Sequence, residues 1–143
     1  SVVENNIKTI LVPMDGSQTS FRALDTAIEV SRVCHSRILG IHSIPFLPSG
    51  FMTSVVPYNI YQKKEAGKFL EVAKTRSARK GILFSYAITF GNPVEEILNI
   101  VKKKRIDLIV IGARGKNRVS DFFLGSVSNA VLHKSKIPVL LVK

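Results

Sequence analysis

A chain of 143 residues is long enough to bury a sizeable core, and one domain over residues 1–143 is expected. With 45% hydrophobic and 22% charged residues it has neither a disordered nor a membrane-embedded composition, and its apolar runs fall well short of the roughly 20 residues that span a bilayer. The 21 Lys and Arg against 10 Asp and Glu give a formal charge of +11, which draws anions in general, from nucleotides to nucleic acid to acidic headgroups, and names none of them.

No charged-then-apolar leader precedes the first apolar run, so no secretory signal is expected. A single cysteine, Cys34, excludes an internal disulfide framework and fits a reducing compartment. Lys8 to Met14 reads as a strand, apolar through TILVPM, of the kind buried on both faces in parallel sheets. It stops at Asp15-Gly16-Ser17, where Ser17 suits the N-cap of a helix from about Thr19 to Cys34. Ala23, Leu24, Ala27, Ile28, Val30 and Cys34 keep one face of that helix apolar, with Cys34 expected as a small buried hydrophobe. Arg37 to Ile44 (RILGIHSI) is the second strand. Pro45 to Tyr61 carries Pro45, Pro48, Gly50 and Pro57 and reads as a long loop, either a lid over a ligand or a packed surface flap.

Tyr61 to Lys80 follows as a basic helix with an apolar stripe of Ala66, Phe69, Leu70, Ala73 and Ala78. Its cations read as a solvated face, since no aromatic stacking pattern or groove-reading helix accompanies them. Ile82 to Phe90 is the third strand. Asn92-Pro93-Val94-Glu95 then opens a helix with a cap residue, Pro at the first helical position and Glu at the third. The helix runs to Lys104, and Lys102, Lys103, Lys104 and Arg105 lie at its negative end, where cations stabilise it. Asp107 to Gly112 is the fourth strand, a helix from about Gly125 to Ser135 turns Val127, Ala130 and Val131 inward, and Pro138 to Lys143 is the fifth strand. Strands alternating with helices imply right-handed crossovers and helices on both faces of a parallel sheet. The fold class expected is α/β, an open doubly wound five-stranded parallel sheet of Rossmann-like type.

The stretch richest in chemistry joins the fourth strand to the last helix. Gly112 and Gly115 flank Arg114, Lys116 and Arg118 follow with only Asp121 to offset them, and Gly125-Ser126 opens the helix. Glycines let backbone approach a ligand closely, and the first turn of a helix offers N–H groups with no internal partner at the positive end of the macrodipole. The stretch therefore reads as a phosphate cradle. Plainer readings stand beside this one: the glycines as turn geometry, Ser126 as the cap of its helix, and Asp15 as a turn or cap residue. Gly125 is followed by Ser126-Val127 rather than Lys-Ser or Lys-Thr, and no G-x-S-x-G elbow occurs. His35, His42 and His133 lie on different elements without metal-ligand spacing, and structural or exposed roles are expected for them. The chain is not expected to be an enzyme.

The spacing Gly112-x2-Gly115-x9-Gly125-Ser126 resembles the ATP-binding signature of single-domain universal stress proteins of the nucleotide-binding subgroup. Ile10 to Ser17 (ILVPMDGS), Ile38 to Ile44, Phe90 to Ile97 and Ile137 to Lys143 follow in that family's order. The resemblance implies strand order 3-2-1-4-5, so that the first and fourth strands end side by side and Asp15 faces Gly112 across the point where ligands bind open α/β sheets. It implies ATP, with Mg²⁺ or Mn²⁺ held chiefly by phosphate oxygens, with the Ser126 hydroxyl as a candidate further ligand, and with no metal site of the protein's own. Carried over residue by residue, Asp15 meets the adenosine part, with Pro13 and Met14 beside it, and the Ser43 backbone reads the adenine edge. Gly112 and Gly115 form the ribose and phosphate turn, while Gly125, Ser126 and Val127 form the phosphate-binding helix start. Arg114 stands where the family often carries a neutral side chain or His. The resemblance also implies a cytoplasmic, nucleotide-dependent switch in stress response, and a homodimer paired through the edge strand Val139 to Val142. Neither a membrane nor nucleic acid is expected as a partner; a slow ATP hydrolase, or a basic adaptor for protein or nucleic acid, are the alternative functions.

Overall fold

The computed structural model describes residues 6–47, 55–115 and 124–143. Its centre is β1 (Thr9–Pro13), all five residues of which are buried, with β2 (Arg37–Ile44) parallel on one side and β4 (Leu108–Gly112), also buried throughout, on the other. β3 (Phe84–Phe90) pairs parallel with β2, and β5 (Val139–Val142) with β4. The order is β3-β2-β1-β4-β5, as the resemblance implied. α1 (Gln18–Cys34), α2 (Val55–Ala78), α3 (Pro93–Lys103) and α4 (Ser126–Lys134) are the connections between consecutive strands.

Successive side chains of a strand point to opposite faces, and β1 shows what that does here. Ile10 and Val12 join Ala23, Leu24, Leu70 and Val110 in a core under α1 and α2, while Leu11 joins Ile97, Ile100, Ile109 and Val131 under α3 and α4. Strands that feed two cores need apolar residues along their length, which explains the unbroken ILVP and LIVIG. Helix starts follow their caps. The Ser17 hydroxyl accepts from the Ser20 N–H at 3.1 Å, and the Asn92 side chain accepts from the N–H groups of Val94 at 3.0 Å and Glu95 at 3.2 Å.

Three expectations change. α2 begins at Val55, so the last seven residues of the stretch expected as a loop are helical; Pro57 falls in the first turn, where its missing N–H bonds nothing anyway. Residues 48–54, with Pro48 and Gly50, lie outside the described residues, as do Lys116, Arg118 and Asp121. Ala78 is exposed, and Ser77 takes the inward position after Ala66, Leu70 and Ala73, its hydroxyl donating to the Ala73 carbonyl at 2.9 Å. Cys34 is half-buried rather than buried, since α1 ends at that residue.

Candidate functional site

β1, β2 and β4 end at one edge of the sheet, at the point where the connections diverge to opposite sides of β1. A cavity of about 640 Å³ opens there. Its first wall is the segment after β1. Met14 N–H donates to the Ile41 carbonyl at 2.8 Å, which holds this segment against β2. Asp15 follows, and its Oδ1 accepts from the Ser17 N–H at 2.9 Å. Asp15 is therefore a turn residue, as one of the plainer readings had it, and it lines the cavity as well.

The second wall is the end of β4. A Cβ on Gly112 would lie 2.8 Å from Thr19 Cγ2 and 3.2 Å from the Thr19 backbone, so a residue without a side chain lets β4 press against the first turn of α1. A Cβ on Gly115 would lie 2.8 Å from Asp15 Oδ2. The two walls meet there, with the carboxylate of one almost touching the backbone of the other. Arg114, between these glycines, is half-buried and lines the same cavity.

The third wall is the start of α4. Ala113 draws it in: its carbonyl accepts from the Gly125 N–H at 2.7 Å and from the Ser128 hydroxyl at 2.7 Å. Gly125 is the N-cap and no side chain caps the turn, unlike α1 and α3. Ser126 is the first helical residue and is exposed, so it does not cap its helix. First-turn N–H groups without a side-chain acceptor carry the positive end of the helix, and here they border the cavity.

All ten residues singled out from the sequence, Pro13, Met14, Asp15, Ser43, Gly112, Arg114, Gly115, Gly125, Ser126 and Val127, line this one cavity. The sequence reading missed the wall opposite. Gln62, Glu65, Ala66 and Phe69 of α2 line it, and so does His42. The Met14 carbonyl can only accept, so the His42 Nδ1 at 2.8 Å carries the proton, and the His42 ring stands edge-on to Phe69 at 5.2 Å between centroids. Ser43 also lines the cavity, and its buried hydroxyl bonds Thr89 Oγ1 at 2.9 Å. Gln62, Ala66 and Phe69 recur at helical spacing, the one sequence signal they gave, and that signal reads equally well as core.

A model of the universal stress protein family matches residues 6–143. The chain belongs to that family. It is similar to universal stress protein YxiE of Bacillus subtilis, at 34% identity over 94% of this chain and 97% of that protein. Among solved structures of the family it is similar to MJ0577 of Methanocaldococcus jannaschii, with a TM-score of 0.83 and 30% identity over 96% of each chain. It also shares its fold with a universal stress protein in complex with cAMP, with a TM-score of 0.74 and 24% identity over 95% of this chain and 97% of that one.

Proposed function

We propose that this chain binds an adenine nucleotide, ATP in the first place, in the crevice at the ends of β1, β2 and β4, and acts as a one-domain nucleotide-dependent switch in stress response in the cytoplasm. The observation that carries the reading is convergence. Residues from four separate stretches border one cavity of about 640 Å³, inside the size range of small-molecule sites. Their chemistry suits its parts. The His42 and Phe69 rings, packed edge to face, suit a base; the Asp15 carboxylate accepts hydrogen bonds, as ribose hydroxyls would require; the amides and hydroxyl at Gly125-Ser126-Val127 suit phosphate oxygens. A relative of the same fold holds cAMP, which is a fact about that protein; the case for this chain rests on its own crevice.

Among the described residues no group of three His, Cys, Asp or Glu is gathered to hold a metal ion. The donors at the α4 start are N–H groups and a hydroxyl, which fit phosphate rather than a bare cation, so Mg²⁺ or Mn²⁺ arrives on the nucleotide. Bound there, it supplies charge neutralisation along the phosphate tail. Hydrolysis demands a group that positions water at the γ-phosphate, and we read the site as a binder with slow turnover at most. The homodimer expected through β5 belongs to the same reading: Val139 to Val142 form an edge strand with Leu140 exposed. Calorimetry with Mg²⁺ and ATP tests the binding. Wild type is expected to release heat at one site per chain, with Asp15→Ala and Gly125→Val each weakening it. No heat at millimolar nucleotide ends the proposal.

A further inference from the structure

The pole of the molecule opposite the crevice gathers most of its charge. Thr9 lies beside Arg37, Ile38 beside Phe84, Ile10 beside Leu108 and Ile109 beside Val139, so the five strands begin along one edge. Each of the four helices ends there, because each leads into the next strand. Lys8 precedes β1, Arg32 and Arg37 bracket the α1–β2 turn, and Arg79 and Lys80 follow α2. The run Lys102 to Arg105 closes α3, and Lys134 and Lys136 stand at the end of α4. These are eleven of the chain's 21 Lys and Arg, all exposed. Two carboxylates stand among these cations in the described residues: Asp107, whose Oδ2 accepts from the N–H groups of Lys8 and Thr9, and Glu29, which pairs with Arg32 at 3.5 Å. Eleven cations against two carboxylates leave nine positive charges here, of a formal +11 for the chain.

Part of that charge offsets the helix ends. Four C-termini at about −0.5 charge each account for roughly two units, and most of the field remains. Two large apolar side chains project from the same pole, Val33 at 81% exposure and Leu83 at 71%. They sit at neighbouring corners, since the Leu83 carbonyl accepts from the Ile38 N–H at 2.9 Å, at the start of the strand that follows α1. None of these segments contains Phe, Tyr or Trp, so there is no stacking platform for single strands. The pole presents helix ends rather than a helix flank to enter a groove. A face of cations about five strands wide, roughly 20 Å, with two exposed apolar side chains, matches an acidic bilayer surface.

We propose that this pole docks the protein on anionic phospholipid membranes, its cations against the headgroups, Val33 and Leu83 in the interface, and the crevice facing away. No membrane partner was expected from the sequence because no run can span a bilayer, but peripheral docking needs no span. The inference stands apart from the nucleotide reading. It is tested by co-sedimentation of the full chain with vesicles of phosphatidylcholine alone and with about one-third phosphatidylserine. Binding is expected to the serine-containing vesicles only, and to weaken as salt screens the charges. Each cation near such a surface is worth about five-fold in affinity, so Lys102→Gln with Lys104→Gln is expected to cost about 25-fold. Val33→Ser with Leu83→Ser is expected to weaken binding while leaving the salt slope unchanged. Lys63→Gln with Lys64→Gln, toward the other end of α2, is expected to change binding little. All these side chains are exposed, and circular dichroism checks that each variant is folded. Equal binding to both vesicle types, an equal loss from the α2 pair, or tighter binding to duplex DNA or single-stranded RNA than to the acidic vesicles at the same ionic strength overturns the proposal.

Discussion

Gly115→Ala isolates the contact on which the crevice turns. Gly115 does not sit in the left-handed region, so alanine is tolerated by its backbone, and the substitution adds one atom in a known place. That atom would lie 2.8 Å from Asp15 Oδ2, and a retreat of about 0.6 Å restores the 3.4 Å of ordinary contact. The carboxylate is held from its other side by the 2.9 Å bond from the Ser17 N–H, so it swings rather than slides. If Asp15 accepts a hydrogen bond from the nucleotide, displacing it forfeits a charge-assisted bond with a net worth of about 1.5–3 kcal/mol, or about 10- to 150-fold in affinity. Stability should move by less than about 0.5 kcal/mol, because Gly115 is exposed. The assay is a double-mutant cycle by calorimetry with Mg²⁺ and ATP, alongside thermal unfolding. In the Asp15→Ala background the new Cβ has no carboxylate to strike, and its penalty should shrink to within about two-fold. Equal penalties in both backgrounds, or wild-type affinity for Gly115→Ala alone, would refute the reasoning.

Gly112→Ala perturbs packing instead: its Cβ meets the Thr19 backbone at 3.2 Å, which cannot swing aside, and overpacking of this kind costs roughly 1–3 kcal/mol in a urea melt. Asn92→Ala removes the acceptor of two N–H groups at the start of α3 and is expected to cost about 1 kcal/mol in the same measurement. Tyr86 holds its proton above the usual 10.0, through burial first and then through Glu71 as a neighbouring charge and a hydrogen-bond partner. A raised folded value means that its contribution is fully present below the unfolded pKa and is lost as pH climbs through the folded one. Stability should therefore fall on the alkaline side of about pH 10, and Tyr86→Phe should flatten that slope.

Most of the fold could be read from the chain because the strands and caps are local. ILVP and LIVIG have no polar residue at either face, and Ser17 and Asn92 announce the helices that they cap. The start of α2 escaped because Pro57 and its aromatic neighbours look like loop composition, while the first turn of a helix accepts proline without loss. The cationic pole was hidden for a different reason. Each pair or run of lysines and arginines is unremarkable on its own helix, and only the shared direction of five strands brings them to one end.

The crevice divides along the same line. Its glycines, Asp15 and the Gly125-Ser126 start act through backbone geometry at strand and helix ends, and spacing along the chain preserves such positions. The α2 wall acts through side chains whose direction depends on how the helix is rolled against β2 and β3. Gln62 and Ala66 share a face with Leu70, which is fully buried, and nothing in the periodicity separates the turn that covers the core from the turn that overhangs the cavity. His42 was set aside for lacking a metal-ligand partner, yet it is half-buried among the buried Ile41, Ser43 and Ile44 at the end of β2. A strand that runs out at the edge of a sheet points its last side chains past the core, so polar residues at that end are cavity candidates whether or not they can bind a metal.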